Sequence, residues 1–276
     1  MNSSKPVRAD EKRLTTDGVL KWDPVFINGG ADVVFTLQQT PTQTRLMRLK
    51  IEDGSVSPLH PDATTSEFEA TFSADSKIYA FVQNRANLNL KLVLRDTAMK
   101  KDAIFDPGGG FACIRRPSIS ADGKQVVFSM PNAAGQQIYL VDSQGANRKE
   151  LTRTSLNSWP AISSDGKHIA FSSSRDGNFD IYLMESDGGK VARLTHSPGM
   201  DIRPAWSPDG KRMAFTSNRN GRYQVFLMQS DGSRPTELTT DSDRDDYAAW
   251  HPDGQSLIMV SEKKGRSDLY VVPVPI

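Results

Sequence analysis

The sequence holds a single cysteine, Cys113, in 276 residues. No disulfide can form within the chain, and the redox compartment stays open. As a lone thiol in a β-rich stretch, Cys113 is expected to be a small buried apolar residue rather than a nucleophile. Charge of one sign is lacking too, with 34 Lys and Arg against 33 Asp and Glu. That excludes the basic footprint by which proteins hold nucleic acid or an anionic membrane surface. No apolar run approaches the length of a membrane span. The opening Met1-Asn2-Ser3-Ser4-Lys5-Pro6 has no apolar leader, so either the protein is cytoplasmic or a leader has been removed.

Catalytic signatures are equally thin. No G-x-S-x-G elbow occurs, and no cofactor or metal is expected. The four histidines are His60, His168, His196 and His251. His60 and His196 start inter-blade loops of different blades, and the four do not converge as a metal site requires, so each reads as a surface or strand-capping residue.

What the chain does contain is a repeat. Pro160-Ala161-Ile162-Ser163-Ser164-Asp165-Gly166-Lys167 returns as Pro204-Ala205-Trp206-Ser207-Pro208-Asp209-Gly210-Lys211 and as Ala248-Ala249-Trp250-His251-Pro252-Asp253-Gly254-Gln255. Weaker copies start at Pro117, Ala70 and Pro24, giving steps of 46, 47, 43, 44 and 44 along the chain. Units of that period indicate a ring or solenoid of small sheets.

Each unit reads as four short strands. The Asp-Gly pair makes a hairpin turn, since Gly takes positive φ without steric cost. Six residues after the turn Asp comes Phe35, Phe81, Phe128, Phe171, Phe215 or Met259, closing an apolar run buried on both faces. The last unit stops after its third strand, whereas Lys12-Arg13-Leu14-Thr15-Thr16 matches the fourth-strand Arg193-Leu194-Thr195. The expected fold is therefore all-β: a six-bladed β-propeller of four-stranded antiparallel blades in one domain, 1–276. Its blades start near residues 22, 68, 115, 158, 202 and 246, and residues 8–16 close the ring as the last outer strand.

Trp206-Ser207-Pro208-Asp209-Gly210-Lys211, Met213-Ala214-Phe215-Thr216-Ser217-Asn218-Arg219 and Leu227-Met228-Gln229-Ser230-Asp231-Gly232 resemble the WD40-like PD40 repeat. That repeat builds the propeller of the TolB family, periplasmic proteins of the Tol–Pal envelope system. The likeness runs along the whole chain and is strongest in the last three units. The family's N-terminal α/β domain has no match here, so the resemblance implies a TolB-like propeller rather than TolB itself. It also implies a periplasmic setting. PD40 repeats occur in oligogalacturonate lyases and prolyl-oligopeptidase-type peptidases as well, so the repeat names a fold better than a task.

Function is expected on the variable loops, at the end of the ring away from the Asp-Gly turns. Residues just before each first strand should surround the channel mouth: Trp22 and Asp23; Glu67 and Glu69; Arg115 and Arg116; Asn157 and Trp159; Asp201 and Arg203; Asp245, Asp246 and Tyr247. Carboxylates, guanidiniums and aromatics together suit a protein or peptide partner. The alternative is a metal-dependent lyase or hydrolase acting on a polar substrate such as an oligosaccharide. The bland reading is that these charges cap strands and stay solvated. Asp241-Ser242-Asp243-Arg244-Asp245-Asp246 reads as a solvated acidic loop and Asp176-Gly177-Asn178-Phe179-Asp180 as a hairpin turn. Gly108-Gly109-Gly110 reads as an inter-blade insertion, and Arg175 and Arg219 as structural parts of the repeat. A monomer is expected.

Overall fold

In a computed structural model, residues 11–84, 89–108, 113–240 and 242–275 are described. Residues 8–10 of the expected closing segment, Gly109, Gly110 and Asp241 lie outside them. Six four-stranded antiparallel sheets stand around an axis. Their first strands are Lys21–Ile27, Ser66–Phe72, Arg115–Ile119, Asn157–Ile162, Asp201–Trp206 and Arg244–Trp250. Each touches the next, and the sixth touches the first, so these strands line the channel. The blades are numbered one to six in that order.

Local chemistry repeats from blade to blade. In blades two to five, Ser73, Ser120, Ser163 and Ser207 donate from Oγ to the turn Asp Oδ1 at 2.8, 2.7, 2.6 and 2.6 Å. The same hydroxyls accept the N–H five residues on, which pins the turn from both sides. Gly123, Gly166, Gly210 and Gly254 then take φ between 70° and 73°. His251 replaces the serine in blade six and accepts from Asp253 N at 3.3 Å.

Phe35, Phe81, Phe128, Phe171, Phe215 and Met259 are at most 1% exposed, as the repeat predicts. Each faces a residue of its blade's third strand across the sheet, for example Phe171 with Tyr182 and Phe215 with Phe226. On its other side each lies opposite two residues of the first strand, because a β-bulge there shifts the register in all six blades.

The ring closes through the N-terminal strand. Lys12–Arg13 pairs with the third strand of blade six, Arg266–Pro273. The side chains around it copy those of blade four. Arg193 Nη2 meets Asp180 Oδ2 at 2.6 Å, while Thr195 Oγ1 donates to Asp180 Oδ1 at 3.1 Å and accepts from Ile181 N at 2.9 Å. Arg13 meets Asp268 at 2.6 Å, while Thr15 Oγ1 donates to Asp268 at 2.9 Å and accepts from Leu269 N at 3.0 Å. The Leu-Thr match in the sequence is thus a match of hydrogen-bond roles.

Candidate functional site at the channel mouth

The bulge creates the site. Its first residue is Asp23, Glu69, Arg116, Trp159, Arg203 or Tyr247, one per blade, and each holds a left-handed φ of 50–58°. Non-glycine residues adopt this conformation at a cost of about 1–3 kcal/mol each. The second bulge residue is Pro24, Ala70, Pro117, Pro160, Pro204 or Ala248. A proline fits there because a bulge residue leaves its N–H out of the ladder. All six left-handed residues line the central cavity.

Their side chains meet across the axis. Arg116 of blade three pairs with Asp23 of blade one and lies 3.4 Å from Glu69 Oε1 of blade two. Its backbone N donates to Glu69 Oε2 at 2.6 Å, and its guanidinium stands 5.3 Å over the Tyr247 ring of blade six. Arg203 of blade five lies between Tyr247 and Trp159, 4.4 and 5.0 Å from their ring centres, and bonds Asp246 at 3.0 Å. Trp159 in turn meets Phe179 edge-on at 5.6 Å. The result is an acidic side on blades one and two facing an aromatic and cationic arc on blades four to six.

Burial sets the protonation of the acidic side. It pushes the Asp23 carboxyl up to about 6 against the pull of Arg116, with the Glu69 charge adding to the rise. Burial opposes ionisation of Glu69 too, but Arg116 and Arg115 together hold that carboxylate below its ordinary range. One guanidinium shared by two buried carboxylates leaves the second less well compensated.

Of the residues the sequence places at the mouth, Glu69, Arg116, Trp159, Arg203 and Tyr247 line the cavity with Asp23, and the rest do not. Glu67, Asn157, Asp201 and Asp245 sit two positions earlier and are at most 4% exposed, inside the seams between blades. There Glu67 pairs with His60 at 2.5 Å, Asn157 Nδ2 donates to Gln137 Oε1 at 2.9 Å, and Asp201 pairs with Arg219 at 2.8 Å. Trp22, Arg115 and Asp246 lie one position before the ring. Trp22 is half-buried, Arg115 pairs with Glu69 at 2.6 Å, and Asp246 is clamped by Arg203 and by Arg244 at 2.5 Å.

Several expectations are corrected. Asp245 and Asp246 are buried in a strand rather than solvated, because arginines and Thr216 draw Asp246 inward. His60 is only 12% exposed, bound to Glu67 and, at 2.8 Å, to Tyr79. It follows Leu59, whose N–H bonds Leu46 O as Leu194 N bonds Ile181 O in blade four, so it holds the place of the blade Thr while its ring bonds residues of the next blade. Cys113 is exposed, since Ile114 fills the adjacent buried seam position. Arg175 and Arg219 are structural as expected, bonding Asn157 and Asp201. Asp176–Asp180 forms the expected hairpin turn, with Gly177 N bonded to Ser174 O at 3.2 Å. Aligning the repeats on the residue before each Pro or Ala would have isolated the six ring positions.

Residues 152–274 match the PD40 family, described as the TolB beta propeller domain. Those residues carry the PD40 repeat, and the fold of the whole chain is like that of TolB propellers. TolB from Acinetobacter baumannii superposes with a TM-score of 0.74 at 20% identity, covering 90% of this chain and 64% of that protein. The putative TolB from Agrobacterium tumefaciens gives 0.74 at 21%, with 95% and 93% covered. The oligogalacturonate lyase from Vibrio parahaemolyticus gives 0.62 at 14%, with 96% and 93% covered. Comparison with curated proteins by sequence found no match. At these identities the structural likeness is one of fold, and it spans both TolB proteins and lyases. Among the described residues, no helix is long and apolar enough to cross a membrane.

Proposed function

We propose that this TolB-like propeller is a non-enzymatic scaffold that binds a protein or peptide partner at the channel-mouth face, in the periplasm. The observation that supports it is the ring of six left-handed, non-glycine residues joined across the axis. Strain kept at one position in every blade marks a site where geometry matters more than local stability. The ring offers an Arg stacked between two aromatics, the residue types that dominate interface energies.

The alternative, cleavage of an oligosaccharide, draws on the lyase of like fold. It needs an acid–base pair or a metal at the mouth. The ring's two carboxylates are both engaged by arginines, and its positions hold no histidine. Among the described residues no group of three His, Cys, Asp or Glu could hold a metal ion. The donor set therefore favours binding.

The test is capture of a partner from the source organism, followed by titration calorimetry with variants. Arg203→Lys keeps a cation beside Asp246, which is 2% exposed, but loses the planar stack. Combined with Trp159→Ala it is expected to weaken binding at least roughly tenfold. Lys167→Ala with Lys211→Ala, exposed beside turns on the opposite face, is expected to leave affinity unchanged. Loss of binding in the second pair and not in the first would overturn the proposal.

A further inference from the structure

Behind the mouth ring lies a cavity of about 550 Å³. On the mouth side it ends at the ring: Trp22, Arg115 and Asp246, one position further out, take no part in its wall. The ring acts as a lid. Asp23, Arg116 and Arg203 have side chains only 20%, 15% and 13% exposed, and Glu69 only 2%.

The other end is different. There the cavity runs to the first turn of every blade, at Gly29, Ala74, Ser76, Ala121, Ser164, Pro208 and Pro252. Five of these are exposed, Ser76 and Ala121 are half-buried, and none carries a charge or a side chain long enough to cross the opening. The Asp-Gly face, uniform in sequence, surrounds an open and neutral rim.

Between rim and lid the wall carries no ionisable group. Several of its polar side-chain atoms are already engaged. Trp206 Nε1 donates to Ala161 O and Trp250 Nε1 to Ala205 O, both at 3.0 Å. Ser118 Oγ accepts from Ile162 N at 3.1 Å, and Thr71 Oγ1 from Ile119 N at 3.3 Å. A charged group entering this stretch would lose water without meeting an opposite charge. An apolar one would meet indoles, alanines and prolines. Ligand cavities span about 300–1,000 Å³ and have mainly apolar walls.

We infer that the cavity is a second binding site, entered through the Asp-Gly rim, for a small uncharged and predominantly apolar molecule. The ring that carries the partner-binding residues is its closed end, met by a partner from outside and by the small molecule from within, and neither reading depends on the other.

The test uses N-phenyl-1-naphthylamine, an uncharged two-ring fluorophore, titrated into the full chain and read by its own emission and by tryptophan quenching. Saturable binding of one molecule per chain is expected. Ala74→Trp with Ser164→Trp places two indoles over the rim at turn positions that tolerate any residue. Affinity is expected to fall at least roughly tenfold with melting temperature unchanged. If the double variant melts early, Ala74→Trp alone carries the same test. Leu20→Ser with Leu156→Ser removes apolar side chains 51% and 45% exposed near the mouth, and affinity is expected to stay the same. Absence of saturable binding by the unaltered chain overturns the site. Binding that survives the rim variants, or is lost in the Leu20 and Leu156 variant, overturns the entry route and with it the proposal.

Discussion

Among the contacts that hold the closing strand is one hydroxyl whose loss can be measured. Thr15 Oγ1 bonds both the Asp268 carboxylate, 2% exposed, and the N–H of Leu269, which is fully buried. Thr15→Val keeps the shape and removes both bonds. An unsatisfied buried donor costs about 1–3 kcal/mol, and a lost bond to a charged group about 1.5–3 kcal/mol. Asp268 keeps Arg13 and the Gly18 N–H at 3.2 Å, so the sum falls toward the lower end, about 2–4 kcal/mol. At about 2–4 °C per kcal/mol for a domain of this size, the melting temperature is expected to drop by roughly 4–16 °C. The internal standard is Thr195→Val, which removes the same two bonds within blade four. Urea unfolding monitored by tryptophan fluorescence compares the two. A loss below about 0.5 kcal/mol for Thr15→Val beside a full loss for Thr195→Val would refute closure by the N-terminal strand.

Removal of residues 1–16 is expected to expose the edge of Arg266–Pro273 and cause aggregation, which light scattering would show. Unchanged solubility and melting would count against it. Phe171→Ala, at a fully buried site, is expected to cost about 3–5 kcal/mol in denaturant titration. A loss under about 1 kcal/mol would mean that Phe171 does not anchor the blade. Ser76 holds a φ of 59° where other blades have glycine. Ser76→Gly is therefore expected to gain about 0.5–1 kcal/mol despite losing the bond from Asn28 N, and a loss would refute the strain argument. The raised Asp23 carboxyl binds its proton more tightly folded than unfolded. Its contribution to stability is complete below about pH 4 and disappears as pH rises through about 6. Asp23→Asn should remove that slope from a plot of melting temperature against pH, and an unchanged slope would exclude Asp23 as its source.

Much of this molecule was legible in its sequence because repeats carry their own control. Six copies of a turn, each with a Phe or Met six residues on, fix strand order and core, since a residue type kept at one phase must serve one environment. Arg13-Leu14-Thr15 could be assigned to blade six for the same reason: its match in blade four is a set of side-chain roles that only an outer strand can fill. The mouth was legible only as a stretch of chain. Trp22, Glu67, Arg115, Asn157, Asp201 and Asp245 look like loop charges and aromatics, and nothing local separates them from Asp23, Glu69, Arg116, Trp159, Arg203 and Tyr247.

The bulge makes that separation. By setting two residues against one, it turns one charged or aromatic position per blade, with the Pro or Ala after it, toward the axis and leaves the residues before it out of the cavity wall, a difference that exists only once the second strand is paired. The same holds for partners from distant blades. Asp23 with Arg116, and Arg203 between Trp159 and Tyr247, meet because the ring closes. Composition and spacing thus determined the blades and their number. Tertiary structure alone decided which charges are buried in pairs, and which end of the channel is barred and which is open.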